Sequence, residues 1–407
     1  MTNKKIAFVT CGYPIDTSTM LINSIALLSE HNQVEVVVSP ADSRRLRYPD
    51  WMQPLLVQYP LNNSILSRRL HKFCRSAAKR LFRRSSSSFA WWAKNTALLM
   101  FSRWFKRYAA KMRYDLIIAV ECDALIAVVT APTPGCDLLY YNMELMDWTT
   151  EQSGIYPDKF IRKKLEHAAL RSAAHVFITS RNRAKIFSEI NGYPLEKISI
   201  LPVVPRKISS LAKSSYFRDL FAIPKDMHIA AYAGSFTPWA MCLDIINSMT
   251  NWPENCALVM HTWSEDAPRS DYFQQMRKAA QGRPVYFSIR YLSYSELATV
   301  FSSADVGLLY YEAIDANFTE ILFSSNKFGE YMAAGLPVIC SPFPSLVEFV
   351  ARQNIGCAVP VQEIGPALRK ITADLDAYRA RVEACRNEYF EFEKYFYPAF
   401  AAYTASI

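Results

Sequence analysis

The stretch Ser324 to Ser341, SSNKFGEYMAAGLPVICS, constrains the fold most, because it specifies a short helix running directly into a buried strand. Ser325 or Asn326 can cap the helix, and Tyr331 to Ala334 tolerate or favour helical backbone. Gly335 supplies a left-handed stop and Pro337 blocks continuation. Val338-Ile339-Cys340 is then a β-branched strand run. The first turn offers free amides, the positive end of the helix dipole and Lys327, all suited to one phosphate. Glu330, one turn deeper, is a bidentate acceptor suited to vicinal hydroxyls such as those of a ribose. On residue types alone, a surface helix with a capping Asn and a solvated Glu–Lys pair fits equally well.

The rest of the chain repeats the strand–helix alternation. Ile6 to Thr10 is expected as a first strand, Met20 to Ser29 as an amphipathic helix and Val34 to Val38 as the next strand. That βαβ opening starts a parallel, doubly wound sheet, in which ligands sit at the carboxyl ends of the strands. Gly12 in the intervening loop is a turn glycine rather than a diphosphate contact. Further strands are expected at Tyr114 to Ala119, Leu138 to Tyr141, Val176 to Thr179 and Ile198 to Val203. Arg206 to Asp226, rich in Ser, Lys and Pro, reads as a linker. A second α/β domain opens at His228 to Ala233, where the strand runs into Gly234-Ser235 and backbone can approach a diphosphate closely.

Composition bounds the class. The 407 residues suffice for two domains, and 51% hydrophobic against 20% charged residues describes a folded chain. The nine cysteines are scattered with no Cys-x-x-Cys pair, which points to reduced thiols in a cytosolic compartment rather than to zinc or disulfides. No signal peptide is apparent, and Glu121 and Asp123 interrupt the longest apolar stretch, so no transmembrane span is expected. Asp374-Leu375-Asp376 has the form of a metal-binding Asp-x-Asp. It falls on the solvated face of a helical pattern, and no metal is expected.

The net charge of +9 is unevenly held. Between Asp50 and Asp115 there are fourteen basic residues and no acidic one, which leaves the remainder of the chain at −5. Within that segment, 66–111, basic side chains alternate with aromatic ones. Arg68, Arg69, Arg80, Arg83 and Arg84 with Trp91, Trp92 and Trp104 suit an interfacial helix on anionic lipid. Domain helices with solvated basic faces and a nucleic-acid grip are the alternatives. Charge asymmetry and tryptophan density favour the membrane over both.

Two strand ends in the first domain carry carboxylates, Glu121-Cys122-Asp123 and Asn142-Met143-Glu144. Asp123 and Glu144 are the candidates to frame an acceptor hydroxyl, the alternative being that they cap the following helices. His261, at another strand end, reads as structural.

The run NKFGEYMAAGLPVICS resembles the donor-site segment of GT-B glycosyltransferases, especially the family 4-like enzymes (glycosyltransferase group 1). The resemblance implies two Rossmann-like α/β domains facing a cleft. They are expected as an acceptor-binding domain over residues 1–205, a linker at 206–226 and a nucleotide-sugar-binding domain over 227–385, with a last helix at 386–407 crossing back. It also implies that Glu330 holds the nucleotide ribose, that Lys327, Asn326, Gly234 and Ser235 lie at the diphosphate, and that the loop at Tyr291 borders the nucleobase. Relatives carry a second Glu where Leu322 stands, and an Arg and Lys near Trp239. Asn317, Thr319 and Glu320 are the sugar-ring candidates in place of that Glu. The expected activity is metal-independent, retaining transfer of a sugar to an acceptor hydroxyl. The nucleotide sugar is a co-substrate and no cofactor is expected. The acceptor is expected to be a lipid-linked or other glycan, with the protein peripheral on the cytoplasmic face of an anionic membrane, in bacterial-type surface polysaccharide or glycolipid synthesis. A nucleotide-sugar epimerase of the same fold and an inactive membrane-associated scaffold are the alternatives.

Overall fold

Strands β1 (Lys5–Thr10), β2 (Gln33–Val38), β3 (Leu56–Gln58), β4 (Leu116–Val120), β5 (Asp137–Asn142), β6 (His175–Ile178) and β7 (Ile198–Ile200) form one parallel sheet in the order β3-β2-β1-β4-β5-β6-β7. The computed structural model describes residues 2–39, 48–60, 76, 91–92, 95–130, 135–147, 157–206 and 212–405. Parallel strands need covered faces, which is why β4, Leu-Ile-Ile-Ala-Val, is apolar and buried throughout. The covering helices are α1 (Thr19–Ser29), α2 (Thr96–Met112), α3 (Glu121–Thr130), α4 (Pro157–Ala169) and α5 (Arg181–Asn191).

A second parallel sheet joins β8 (His228–Ala233), β9 (Cys256–Thr262), β10 (Val285–Ile289), β11 (Val306–Leu309), β12 (Val338–Cys340) and β13 (Gly356–Ala358), in the order β10-β9-β8-β11-β12-β13. Around it lie α6 (Tyr216–Phe221), α7 (Cys242–Asn247), α8 (Asp271–Ala279), α9 (Tyr294–Phe301), α10 (Ala316–Thr319), α11 (Asn326–Ala333), α12 (Pro344–Gln353), α13 (Ile364–Thr372) and α14 (Leu375–Tyr389). The chain divides into two compact units, 1–201 with 395–407, and 202–394. The last helix, α15 (Glu393–Ala405), packs its aromatic residues in the first unit: the Phe400 ring lies 5.0 Å from Phe177, and the Tyr403 hydroxyl donates to Asp137 at 2.8 Å.

Both sheets reverse strand order between their first and fourth strands, β1/β4 and β8/β11. At such a switch point the flanking helices diverge and leave a crevice beyond the strand ends.

Within the expected linker 206–226, the described residues 212–226 are not the plain connector that their composition suggested. Its α6 buries Phe217 against Phe301, at 6.2 Å between rings. Asp305, buried just ahead of β11, gathers cations around that helix. Lys213 donates to it at 2.6 Å, Arg379 at 2.7 Å and Arg218 at 3.3 Å, and the Ile229 amide at 2.9 Å. Burial pushes the Asp305 carboxyl up, but the Lys213 contact, the Ile229 amide and Arg379 outweigh it and hold it below the usual carboxylate range. A depressed native pKa adds stability above the unfolded value and loses it as pH falls through the native one. Asp305→Asn is therefore expected to cost about 2–3 kcal/mol in urea unfolding at pH 7. That difference from the parent should shrink as the pH is lowered past the carboxylate range. An equal deficit at every pH would mean shape, not charge, holds this junction.

Candidate functional site

Helix α11 sits at the switch point of the second unit, pinned by two glycines and one tyrosine. Ser325 caps it, accepting from the Phe328 amide at 3.4 Å while its hydroxyl lies 2.9 Å from that of Tyr311. Gly335 ends it at φ +73°, the left-handed stop expected from the sequence. The buried Tyr331 hydroxyl accepts from the Ala233 amide at 2.8 Å and donates to the Leu308 carbonyl at 3.2 Å, tying the helix to β8 and β11. Its ring lies so close to Gly307 that a Cβ there would come within 2.5 Å. Gly329 has a similar role, since a Cβ would stand 2.8 Å from the Val203 carbonyl.

This mounting holds Lys327 and Glu330, three residues apart and so on one helix face. The Lys327 ammonium lies 4.2 Å from the centre of the Tyr311 ring and 4.5 Å from that of Tyr232, and donates to the Tyr232 hydroxyl at 3.5 Å. Gly234, at φ +143°, closes over it: a Cβ would stand 3.4 Å from the ammonium. Among the described residues no carboxylate pairs with Lys327, and no donor or cation pairs with Glu330. Close packing strips water from both half-buried side chains. Burial pushes Lys327 down to about 7 and Glu330 up to about 8. The structure thus brings Gly234, Lys327 and Glu330 around one helix, with Ser235 accepting from the Tyr232 hydroxyl at 2.8 Å.

Aromatic residues extend this wall. Trp239 stacks parallel to Tyr311 with ring centres 6.2 Å apart, and Phe318 lies 5.5 Å from Trp239. Asn317 and Thr319 flank Phe318 on α10, which Asp315 caps through the Asn317 amide at 3.0 Å, and Glu320 follows at its end. Asn326 opens α11, and Tyr291 is half-buried beyond the end of β10. His261 is structural: its Nδ1 lies 3.0 Å from the Ser288 hydroxyl, and burial pushes it down to about 4.

In the first unit, Asp123 is engaged by Arg162 at 2.9 Å, and Glu144 is exposed. Sequence reasoning passed over Glu121 beside them. Its Oε1 accepts from the Met143 amide at 2.6 Å and the Glu144 amide at 3.1 Å, holding the exit of β5 against that of β4. Burial, then the Glu144 charge, pushes Glu121 up to about 8. Its backbone is left-handed, φ +67°, a strained setting for a residue with a Cβ. Residue type carries no mark of that strain. The position directly after an apolar strand was the only available signal.

No protein-family model matches the sequence, and no curated protein does. Solved structures do. Sucrose-phosphate synthase from Thermosynechococcus elongatus superposes with a TM-score of 0.67 at 18% identity, covering 99% of both chains. Anabaena Alr3699/HepE, in complex with UDP and glucose, gives 0.69 at 14% identity over 100% of both chains, and has also been solved with UDP and with UDP-glucose. A putative UDP-N-acetylglucosamine 2-epimerase from Listeria monocytogenes gives 0.53 at 10% identity, over 94% of this chain and 91% of that one. The chain has the GT-B fold.

Of the two GT-B units, the first contains the basic segment. Arg68, Arg69, Arg80, Arg83 and Arg84 lie outside the described residues. Trp91, expected to enter lipid, is instead 2% exposed, with its ring against Trp92 at 4.9 Å. Trp104 is half-buried, stacked on Tyr108 at 5.1 Å and edge-on to Tyr59 at 5.3 Å. Aromatic side chains at helical spacing find burial in the domain before they find lipid. On α2 this leaves Leu98, Phe101, Phe105 and Ala109 inward and the basic heads outward. Among the described residues no helix is long and apolar enough to cross a membrane, and no three His, Cys, Asp or Glu side chains gather as a metal site requires.

The environment of Lys327 has a direct chemical consequence. An ordinary lysine is about a thousandth neutral at pH 7.5, whereas one with a pKa near 7 is mostly neutral and nucleophilic. Brief treatment with an amine-acylating reagent at pH 7.5 should label Lys327 ahead of the surface lysines, as read by peptide mass spectrometry. Labelling no faster than at Lys185 or Lys278 would refute the depressed pKa.

Proposed function

We propose that this chain is a glycosyltransferase, moving a sugar from a nucleotide-sugar donor to an acceptor hydroxyl. The observation that carries the reading is a half-buried ammonium and a half-buried carboxyl, Lys327 and Glu330, on one face of α11 with no ionic partner among the described residues. A diphosphate supplies the counter-charge for Lys327, and the ribose diol supplies the donors for Glu330. The bound UDP and UDP-glucose of HepE support the same class of ligand.

In this reading, Gly234 and Ser235 offer backbone to the diphosphate beside Lys327 and Asn326, and Tyr291 borders the base. Asn317, Thr319 and Glu320 reach the sugar from beside the Trp239–Phe318 wall. Charge grows on the leaving diphosphate as the glycosidic bond breaks, and Lys327 with the α11 amides stabilises it without a metal ion or cofactor. The leaving phosphate assists deprotonation of the acceptor with retention. Asp123 or Glu144 serves as base if the outcome is inversion. The acceptor is lipid-linked, on the cytoplasmic face of an anionic membrane, in surface polysaccharide or glycolipid synthesis. The epimerase neighbour favours a second reading, separated by product: a new glycoside for transfer, an epimerised nucleotide sugar for the alternative. UDP binding without turnover of any donor would leave a scaffold.

A thermal-shift screen of UDP-, GDP-, CMP- and dTDP-sugars identifies the nucleotide, and calorimetry then tests the site. Glu330→Gln is expected to weaken nucleotide binding by about 1.5–3 kcal/mol. Binding requires Lys327 to take up a proton above pH 7 and Glu330 to release one below pH 8, so the parent's affinity should be nearly flat between them. Glu330→Gln should then bind more weakly as pH rises, by up to about tenfold per unit, and Lys327→Ala more tightly. Parallel profiles for all three proteins would remove both residues from the site.

Membrane association is tested by liposome flotation. Each engaged basic residue contributes about 1 kcal/mol near an anionic surface, screened by salt. Replacing Arg68, Arg69, Arg80, Arg83 and Arg84 by Ser should release the protein from anionic vesicles. No flotation of the parent chain would make a soluble acceptor the better assignment.

A further inference from the structure

The outward face of α2 borders a surface cavity of about 370 Å³, lined by Leu99, Ser102, Arg103, Lys106 and Arg107 with Thr130 from the end of α3. That volume lies in the range of small-molecule sites. Its floor is fixed, because the buried Ser102 hydroxyl donates to the Ala127 carbonyl at 2.6 Å and locks α2 to α3. The Thr130 hydroxyl is occupied by the Ile126 carbonyl at 2.7 Å, so the charge facing the cavity comes from α2.

That charge is unbalanced. Arg103 stands three residues from Lys106 and four from Arg107, spacings at which like charges repel along a helix. Helix α2 contains no Asp or Glu, and none of the three cations forms an ion pair among the described residues. The nearby carboxylates are engaged elsewhere: Glu35 accepts from Tyr108 and Tyr114, and Asp115 pairs with Lys4 at 3.3 Å. Three cations lining one surface cavity, two of them guanidinium forks, match a doubly or triply charged phosphate better than a lone carboxylate.

We infer that the α2–α3 cavity is a binding site for a phosphate-bearing ligand, a diphosphate or phosphomonoester group held by Arg103, Lys106 and Arg107. The site lies wholly in the first unit and does not depend on the donor site of α11. Two sources present this chemistry, a soluble phosphate ester and a lipid headgroup.

The test is titration of inorganic pyrophosphate by calorimetry into Lys327→Ala protein, which removes the other phosphate-directed cation. Saturable binding is expected, weakened about tenfold or more in the added triple variant Arg103→Gln, Lys106→Gln, Arg107→Gln. Relief of repulsion should leave that variant's melting temperature no lower. If the combined variant fails to fold, Arg107→Glu alone in the same background is expected to weaken binding in the same direction. No pyrophosphate binding to the Lys327→Ala protein overturns the inference, as does an affinity unchanged by the α2 substitutions. Vesicles of phosphatidylcholine with and without phosphatidic acid then separate the sources. Pyrophosphate-sensitive retention that the triple variant loses assigns a lipid headgroup, and intact pyrophosphate binding without retention assigns a soluble phosphate ester.

Discussion

Parallel strands cannot be joined by tight turns, and each must be reached by a crossover helix. Here that constraint sends the carboxyl end of every strand in a sheet to one edge, where the following helices begin. In the second unit it delivers the Gly234 turn from β8, Tyr311 from the exit of β11 and α11 to the same switch point. In the first it delivers Gly12, Glu121 and the Asn142 to Glu144 run to the corresponding edge. The chemistry at each edge follows from which side chains those exits carry, since topology has already brought the exits together.

Burial of charge separates structure from site at these edges. Asp305 is surrounded by Lys213, Arg218, Arg379 and the Ile229 amide, and Glu166 is met by Lys163 at 2.8 Å and the Tyr140 hydroxyl at 2.6 Å. Both carboxylates are satisfied, so their cost is offset within the fold. Lys327 and Glu330 have lost much of their water without gaining a counter-ion, and each is pushed toward its neutral form. A fold gains nothing from that arrangement by itself. A ligand that restores both charges gains what the empty protein forgoes.

Most strands of both sheets were legible because parallel strands, covered on both faces, favour continuous apolar runs, as in Ile117-Ile118-Ala119 and Val338-Ile339-Cys340; the three-residue β3 and β13 were too short to show such a run. Helix α11 was legible from its punctuation, Ser325 before it and Gly335 after. The anchoring of 212–226 was not, because its decisive partner, Asp305, lies far along the sequence and is no different in type from a solvated Asp. Trp91 misled for a related reason: tryptophan beside arginine suits both a lipid surface and a domain core, and only the fold shows which. Glu121 was obscured by its backbone, since a left-handed φ at a strand exit leaves no trace in residue type.

Trp239, near which the resemblance implied an Arg and a Lys, takes on meaning from the same electrostatics. The Lys327 ammonium rests between two tyrosine faces, each worth about 0.5–2 kcal/mol as a cation–π contact depending on desolvation. Such a cage positions a cation through the electron-rich ring faces, not through a carboxylate that an incoming anion would have to displace. Trp239 stacks on the back of this arrangement through Tyr311, and Ser325 fixes the same ring by its hydroxyl. A guanidinium in the place of Trp239 would add like charge beside an ammonium that burial already disfavours. The aromatic wall instead leaves Lys327 without a carboxylate partner and pushed toward its neutral form, so that an anionic ligand restores its charge with no counter-ion to displace.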